Sequence, residues 1–246
     1  MKTACIGAMG WSYKQWLGKL YPRELKPEEY LKEYSKHFNS VELNNTFYRI
    51  PSIKTVENWR EQTPDDFIFA AKFPRSISHS KTIGGDDEKL DVFLRNISHL
   101  EEKLGPILLQ LPPTLQEETE NLAQFFSKIP DNPRYAVEFR HTTWFTPQVF
   151  NILRENDTAL VVVDHPWLPE LDEITADFTY IRWQGDRNTV TGDRGVVEVY
   201  RKENTQRWSN KIREVLESIK VYGYFSKHYS GYPPQDIKDL RLTVKS

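Results

Sequence analysis

The 246-residue sequence predicts an α/β protein, a single-domain (β/α)8 barrel spanning residues 1–246. Its length matches the roughly 250 residues typical of that fold. Short β-rich runs alternate with longer segments of helical period, the pattern of βαβ units around a parallel sheet. Eight such runs can be counted, and no Pro/Gly/Ser linker or internal sequence repeat divides the chain.

In chain order the predicted strands are Thr3 to Ala8, Ser40 to Asn44, Phe67 to Lys72, Ile107 to Leu111, Tyr135 to Phe139, Ala159 to Asp164, Phe178 to Trp183 and Val221 to Phe225. Between them the helical period runs over Pro27 to Phe38, Ile53 to Gln62, Asp87 to Leu104, Glu117 to Ile129, Pro147 to Asn156 and Asn204 to Ile219. Pro27 followed by Glu28 and Glu29 suits a first helical turn, where a missing N–H costs little and acidic groups meet the positive helix end. Thr146 before Pro147 reads as an N-cap and first residue. Pro166 and Pro169 break the segment after the sixth strand, so the sixth helix is expected to shrink to a turn or a loop. Gly84-Gly85-Asp86-Asp87 reads as a flexible surface loop, with a lid as the alternative.

Hydrophobic residues make up 38% of the chain and aromatic residues 13%, enough to build a core and too much for disorder. Thirty-three Lys plus Arg against thirty-five Asp plus Glu leave a net charge of -2, so no global positive field draws in nucleic acid or an anionic membrane. One cysteine, Cys5, excludes an internal disulfide framework and a thiolate zinc site. No stretch approaches the roughly 20 apolar residues that span a bilayer, and the reading is a cytoplasmic protein. G-x-G-x-x-G, G-x-x-x-x-G-K-[ST] and G-x-S-x-G are all absent, which removes the usual dinucleotide, P-loop and serine hydrolase readings.

Alternation along a barrel strand sends every second residue inward. Glu42 and Asn44 then share one face of the second strand, and Lys72 follows Ile68 and Ala70 on the third. Gln110, Glu138 with Arg140, Asp164, and Tyr180 with Arg182 follow on later strands. Polar groups are thus expected to gather at one mouth, the face where barrel enzymes place their chemistry. Buried charges cost several kcal/mol unless paired, so the convergence implies a ligand pocket or an internal network. In the plain structural alternative, Glu42, Glu138 and Asp164 only balance Lys72, Arg140 and Arg182. Trp11, Tyr13 and Trp16, Phe47 and Tyr48, Trp144 and Trp183 supply aromatic faces near the same strand ends, with Trp11 and Tyr48 the preferred site members. Among the histidines, His37, His79 and His99 read as surface residues, while His141, His165 and His228 follow strands.

These motifs are recognisable together. Gly10-Trp11-Ser12-Tyr13 with Trp16, Gly18, Tyr21 and Pro22, then Val41 through Arg49 with Pro51, resemble the YecE-like family, domain of unknown function seventy-two. So do Gly105-Pro106, Gln110-Leu111-Pro112-Pro113, Ala136 through His141 with Trp144, Tyr180-Ile181-Arg182 with Gly185, and His228 through Tyr232. The resemblance covers nearly the whole chain; it implies a barrel and supplies no reaction. Departures from the family pattern stand at Ala8-Met9, where small hydroxyl residues are common, at Gln184, where a histidine usually precedes Gly185, and at Ser226-Lys227, where two asparagines are usual.

The expected function is an enzyme acting on a small polar substrate, carbohydrate-like or phosphorylated, by acid–base chemistry. Glu138 is the expected acid or base, Lys72 its charged partner or the polariser of an oxyanion, and Arg140 and Arg182 the anion holders. Glu42 and Asp164 complete the expected catalytic set, and Trp11, Asn44, Tyr48, Gln110, His141 and His228 join the two arginines in substrate binding. A Schiff base on Lys72 ranks lower, because neighbouring carboxylates raise an ammonium pKa. Two alternatives stand beside it: a non-catalytic module binding a metabolite or a nucleic-acid end, and a divalent-metal hydrolase or isomerase using Glu42, Glu138 and Asp164. No cofactor is expected, and the sequence leaves the oligomeric state open.

Overall fold

The computed structural model describes residues 4–80 and 82–245. Thr3, the expected start of the first strand, lies outside them. Eight parallel strands, β1 (Ala4–Met9), β2 (Ser40–Leu43), β3 (Ile68–Lys72), β4 (Leu104–Gln110), β5 (Tyr135–Glu138), β6 (Ala159–Asp164), β7 (Phe178–Trp183) and β8 (Lys220–Phe225), follow one another in that order around a closed barrel. The predicted α/β class and (β/α)8 architecture therefore hold, and β6 and β7 have the predicted bounds.

The connecting helices are α1 (Tyr30–Ser35), α2 (Ile53–Glu61), α3 (Arg75–Ser78), α4 (Asp87–Ile97), α5 (Thr119–Lys128), α6 (Pro147–Glu155), α7 (Lys202–Leu216), α8 (Lys227–Ser230) and α9 (Pro233–Lys245). Each longer one turns an apolar stripe inward; α4 buries Leu90, Phe93 and Ile97, and α6 buries Val149, Phe150 and Leu153. Thr146 caps α6 as expected, its hydroxyl accepting the Val149 N–H at 3.3 Å. Between β6 and β7 the described residues contain no helix, in line with the two prolines there. No helix among the described residues is long and apolar enough to cross a membrane.

Three expectations need correction. The helix expected over Asp87 to Leu104 ends at Ile97 and passes into a 3-10 stretch, Ser98–Lys103, that is kinked at Glu101, where φ is +54°. The fourth strand then starts at Leu104 rather than Ile107. Pro106 is admitted because the β3–β4 ladder shifts register there, passing from Phe69↔Leu104 to Ala71↔Ile107, so the residue without an N–H sits at an irregularity. Gly84, expected in a surface loop, is buried: its N–H bonds to Ile77 O, and a side chain on the adjacent Gly85 would meet Ser76 O at 2.2 Å, while Asp86 and Asp87 are exposed.

The chain forms two compact units, one within Met1–Glu42, Val162–Leu171 and Phe178–Ser246, the other within Leu43–Val161 and Asp172–Asp177. In the first, β8 pairs with β7 along its whole length and with β1 from Ala4 to Ala8. β1 meets β2 only at Ala8↔Val41 and Met9↔Glu42. Just before those rungs the buried Tyr34 hydroxyl stands between the strands, accepting the Ala8 N–H at 2.8 Å and donating to Ser40 O at 2.9 Å. Gly7 makes room for this, since a Cβ there would lie 1.9 Å from Ser40 O. In the second unit β3, β4 and β5 form a continuous ladder. Phe73, just past β3, is fully buried against Phe93, Phe125 and Tyr135.

The Tyr34 bridge yields a direct expectation. Tyr34→Phe keeps the ring but leaves a buried N–H and a buried carbonyl each short of a partner, at a cost of about 1–3 kcal/mol per group. Chemical denaturation should show a loss of about 2–4 kcal/mol. A variant as stable as the parent would mean that the bridge is dispensable.

Candidate functional site

In the second unit three successive strands end on polar residues: Lys72 on β3, Gln110 on β4 and Glu138 on β5. The register aligns them, with Lys72 opposite Leu108 and Gln110 opposite Glu138, so alternation puts all three side chains on one face. They form a single chain of hydrogen bonds. Lys72 Nζ donates to Gln110 Oε1 at 2.8 Å, and Gln110 Nε2 donates to Glu138 Oε1 at 2.8 Å. Arg140 Nε donates to the same Glu138 oxygen at 2.7 Å. Glu138 is fully buried, whereas the Arg140 side chain keeps 18% of its surface.

The turn after β2 supports this row. Thr46, buried, shares its hydroxyl hydrogen between Leu43 O at 2.7 Å and Lys72 O at 2.6 Å and accepts the Lys72 N–H at 3.2 Å. The next residue, Phe47, lies beneath the Lys72 ammonium, 4.1 Å from ring centroid to Nζ. Such a contact favours the charged ammonium. His79 meets the same phenyl ring edge-on at 5.1 Å. Expected at the surface, His79 is instead half-buried, and its pKa is lowered by burial first and then by the charges of Lys72, Arg75 and Arg140.

The first unit holds a different arrangement. Glu42 is fully buried on β2 and receives both edges of the Arg182 guanidinium, Nε at 2.9 Å and Nη2 at 2.8 Å, with the Tyr180 hydroxyl donating at 2.8 Å. Arg182 Nη2 also lies 3.3 Å from Met9 Sδ. Tyr180 is held protonated, its pKa pushed well up by burial and then by the Glu42 charge. Tyr13 is pushed up to about 12 for the same two reasons. Asp164 ends β6 with its carboxylate on the Trp208 indole N–H at 2.8 Å and 3.7 Å from the Arg207 guanidinium. Its backbone oxygen takes the N–H groups of Gln184 and Gly185. Gly185 is required there: φ is +64°, and a Cβ would sit 2.2 Å from His228 O.

The remaining expected residues have other partners. His228 Nδ1 lies 2.7 Å from Val190 O, and His141 Nδ1 accepts the Thr143 N–H and so caps its turn. Trp11 is half-buried, its carbonyl accepting the Tyr21 hydroxyl at 2.7 Å, and the Asn44 carbonyl takes the Phe47 N–H. Tyr48 is 84% exposed, its ring edge-on to Phe47. The structure thus joins Lys72, Gln110, Glu138 and Arg140 in one network and Glu42 with Arg182 in another, while Asp164 has Trp208 and Arg207. Sequence reasoning gave no role to Tyr180, His79 or Thr46. Tyr180 had a signal, two residues before Arg182 on the same face; the other two lie in turns without periodicity.

The sequence profile described as "Protein of unknown function DUF72" matches residues 5–246. The chain is 39% identical over 141 residues to the UPF0759 protein YecE of Escherichia coli strain K12, a match covering 57% of this chain and 49% of that protein. That match spans about half the length of the relative. With the UPF0759 protein YunF of Bacillus subtilis strain 168 the identity is 26% over 256 residues, covering 92% and 89% of the two chains. Among solved structures, a DUF72 family protein from Thermotoga maritima superposes with a TM-score of 0.84 at 28% identity, covering 99% of each chain.

The buried Glu42–Arg182 pair should behave as one unit. Glu42→Leu or Arg182→Met alone strands a buried charge and should cost about 3–5 kcal/mol. The double variant should cost clearly less than the sum of the two. Urea denaturation of the four proteins measures this, and additive losses would show that the two residues do not stabilise each other.

Proposed function

The chain belongs to the DUF72 family, and from that premise we propose that it is an enzyme acting on a small anionic polar substrate, carbohydrate-like or phosphorylated, by acid–base chemistry at Lys72, Gln110, Glu138 and Arg140. The observation that carries the reading is the hydrogen-bonded chain itself. Arg140 bonds Glu138 directly, Lys72 is joined to it through Gln110, and the charges of Lys72, Arg75 and Arg140 all act on the neighbouring His79. Lys72, Arg75 and Arg140 together suit the group to a bound anion. Arg140, the partly exposed member, is the residue to meet it. Arg182 contributes less to that task because Glu42 occupies its fork.

Each residue has a distinct part. Lys72 donates to Gln110, and its ammonium is suited to stabilise negative charge developing on a substrate oxygen. Glu138, oriented by Gln110 and Arg140, is the group that handles a substrate proton. Glu42, Tyr180 and Arg182 form a closed set of their own in the first unit. The metal alternative is less favoured by the donor chemistry. Glu42, Glu138 and Asp164 each already accept N–H donors, and among the described residues no three His, Cys, Asp or Glu side chains gather as a metal site.

Glu138→Gln tests the reading. A thermal-shift screen of small phosphorylated and carboxylated metabolites first finds a ligand; binding at a hundred times its dissociation constant adds about 2.7 kcal/mol to the folded state. If Glu138 is catalytic, Glu138→Gln keeps the fold and ligand affinity while turnover falls at least about 100-fold. Full turnover in a stable variant would contradict the role. A parent protein that binds and never converts the ligand would establish a binding module instead.

A further inference from the structure

We propose that His79 is a second proton-handling group of this site beside Glu138, with Nδ1 tied to Ser78, Nε2 left as the basic nitrogen, and the bound molecule a small anion held by Lys72, Arg75 and Arg140. The proposal rests on the reading of the Lys72–Gln110–Glu138–Arg140 chain as a substrate site.

The tautomer follows from counting hydrogens. Ser78 Oγ lies 3.1 Å from Pro74 O, which can only accept, so the one hydroxyl hydrogen of Ser78 goes there. The 2.9 Å contact between Ser78 Oγ and His79 Nδ1 must then take its hydrogen from the ring. Nδ1 carries the proton, and Nε2 holds the lone pair. The ring is also positioned: it abuts Phe47 at 77° to the phenyl plane, and that same phenyl carries the Lys72 ammonium at 4.1 Å. One aromatic side chain thus sets both the imidazole and the cation.

The surroundings keep this imidazole neutral. Burial and the charges of Lys72, Arg75 and Arg140 all lower its pKa, so at neutral pH it is in the form that accepts a proton. Glu138, with Gln110 and Arg140 both donating to its Oε1, is the other proton-handling group and also orients Arg140. An arriving anion offsets the three cations and raises the basicity of Nε2 as the substrate binds. In the chemical step a substrate proton passes to Nε2 to give the imidazolium. The electron pair of the broken bond stays on the substrate, where the Lys72 ammonium stabilises it.

The test is nitrogen-15 and proton NMR of the imidazoles in the full-length chain, with inorganic phosphate as the probe and the His79 signals identified by their loss in His79→Gln. The expected result is the Nδ1–H tautomer, a titration midpoint below 6.5, and a rise of about one unit on saturation with phosphate. Lys72→Met should remove most of that rise, and Ser78→Ala should shift the ring toward the Nε2–H tautomer; the latter gives a second readout should His79→Gln fail to fold. An Nε2–H tautomer, a midpoint at or above 6.5, or a midpoint unmoved by phosphate would each overturn the proposal. These readouts do not involve Glu138, so a failure here is distinct from a failure of the Glu138→Gln comparison.

Discussion

Gln110 is the joint of the polar row at the ends of β3, β4 and β5. Its amide is neutral, yet it offers an acceptor to a cation and a donor to an anion, and the two neighbours fix which way it points. A carboxylate in its place would repel Glu138, and an aliphatic residue would leave both partners short of a hydrogen bond. Much else follows from this demand. The strands must be in register for Gln110 to stand opposite Glu138, and Thr46 must hold the Lys72 backbone for Nζ to reach Oε1. The irregularity around Pro106 lies ahead of the aligned rungs and leaves them intact.

The two polar clusters resolve the cost of burying charge in opposite ways. Glu42 faces a guanidinium fork and a phenol, a closed set in which cation and anion are matched. Replacing such a pair with well-packed apolar groups is often neutral, which is the mark of a structural device. Around Glu138 the set is open: Arg140, which bonds it, reaches solvent. This difference in access, more than the number of charged residues, distinguishes the two clusters.

Most of the architecture was legible because it rests on periodicity. Alternation and length gave the eight strands, and the same alternation placed Glu42, Lys72, Gln110, Glu138, Asp164 and Arg182 at or one residue before the ends of theirs. What periodicity cannot report is which neighbour a side chain chooses. Arg140 and Arg182 read alike as anion holders, yet only the fold reveals that Arg182 is taken by Glu42. His79 read as a surface residue because the short α3 turn has no amphipathic pattern, and its contact with Phe47 links residues 32 positions apart. The final helix, α9, which is not among the helices the sequence predicts, begins at two prolines, where a helix start tolerates them.

The most direct measurement is the stability of Gln110→Met, a substitution that keeps length and volume while removing both hydrogen bonds. If Lys72, Gln110 and Glu138 form one coupled chain, urea denaturation should show a loss of about 2–4 kcal/mol, since two buried charged groups each lose a partner. That loss should shrink markedly when Glu138→Gln is already present. A variant within about 0.5 kcal/mol of the parent, or one whose loss is the same in both backgrounds, would contradict the account.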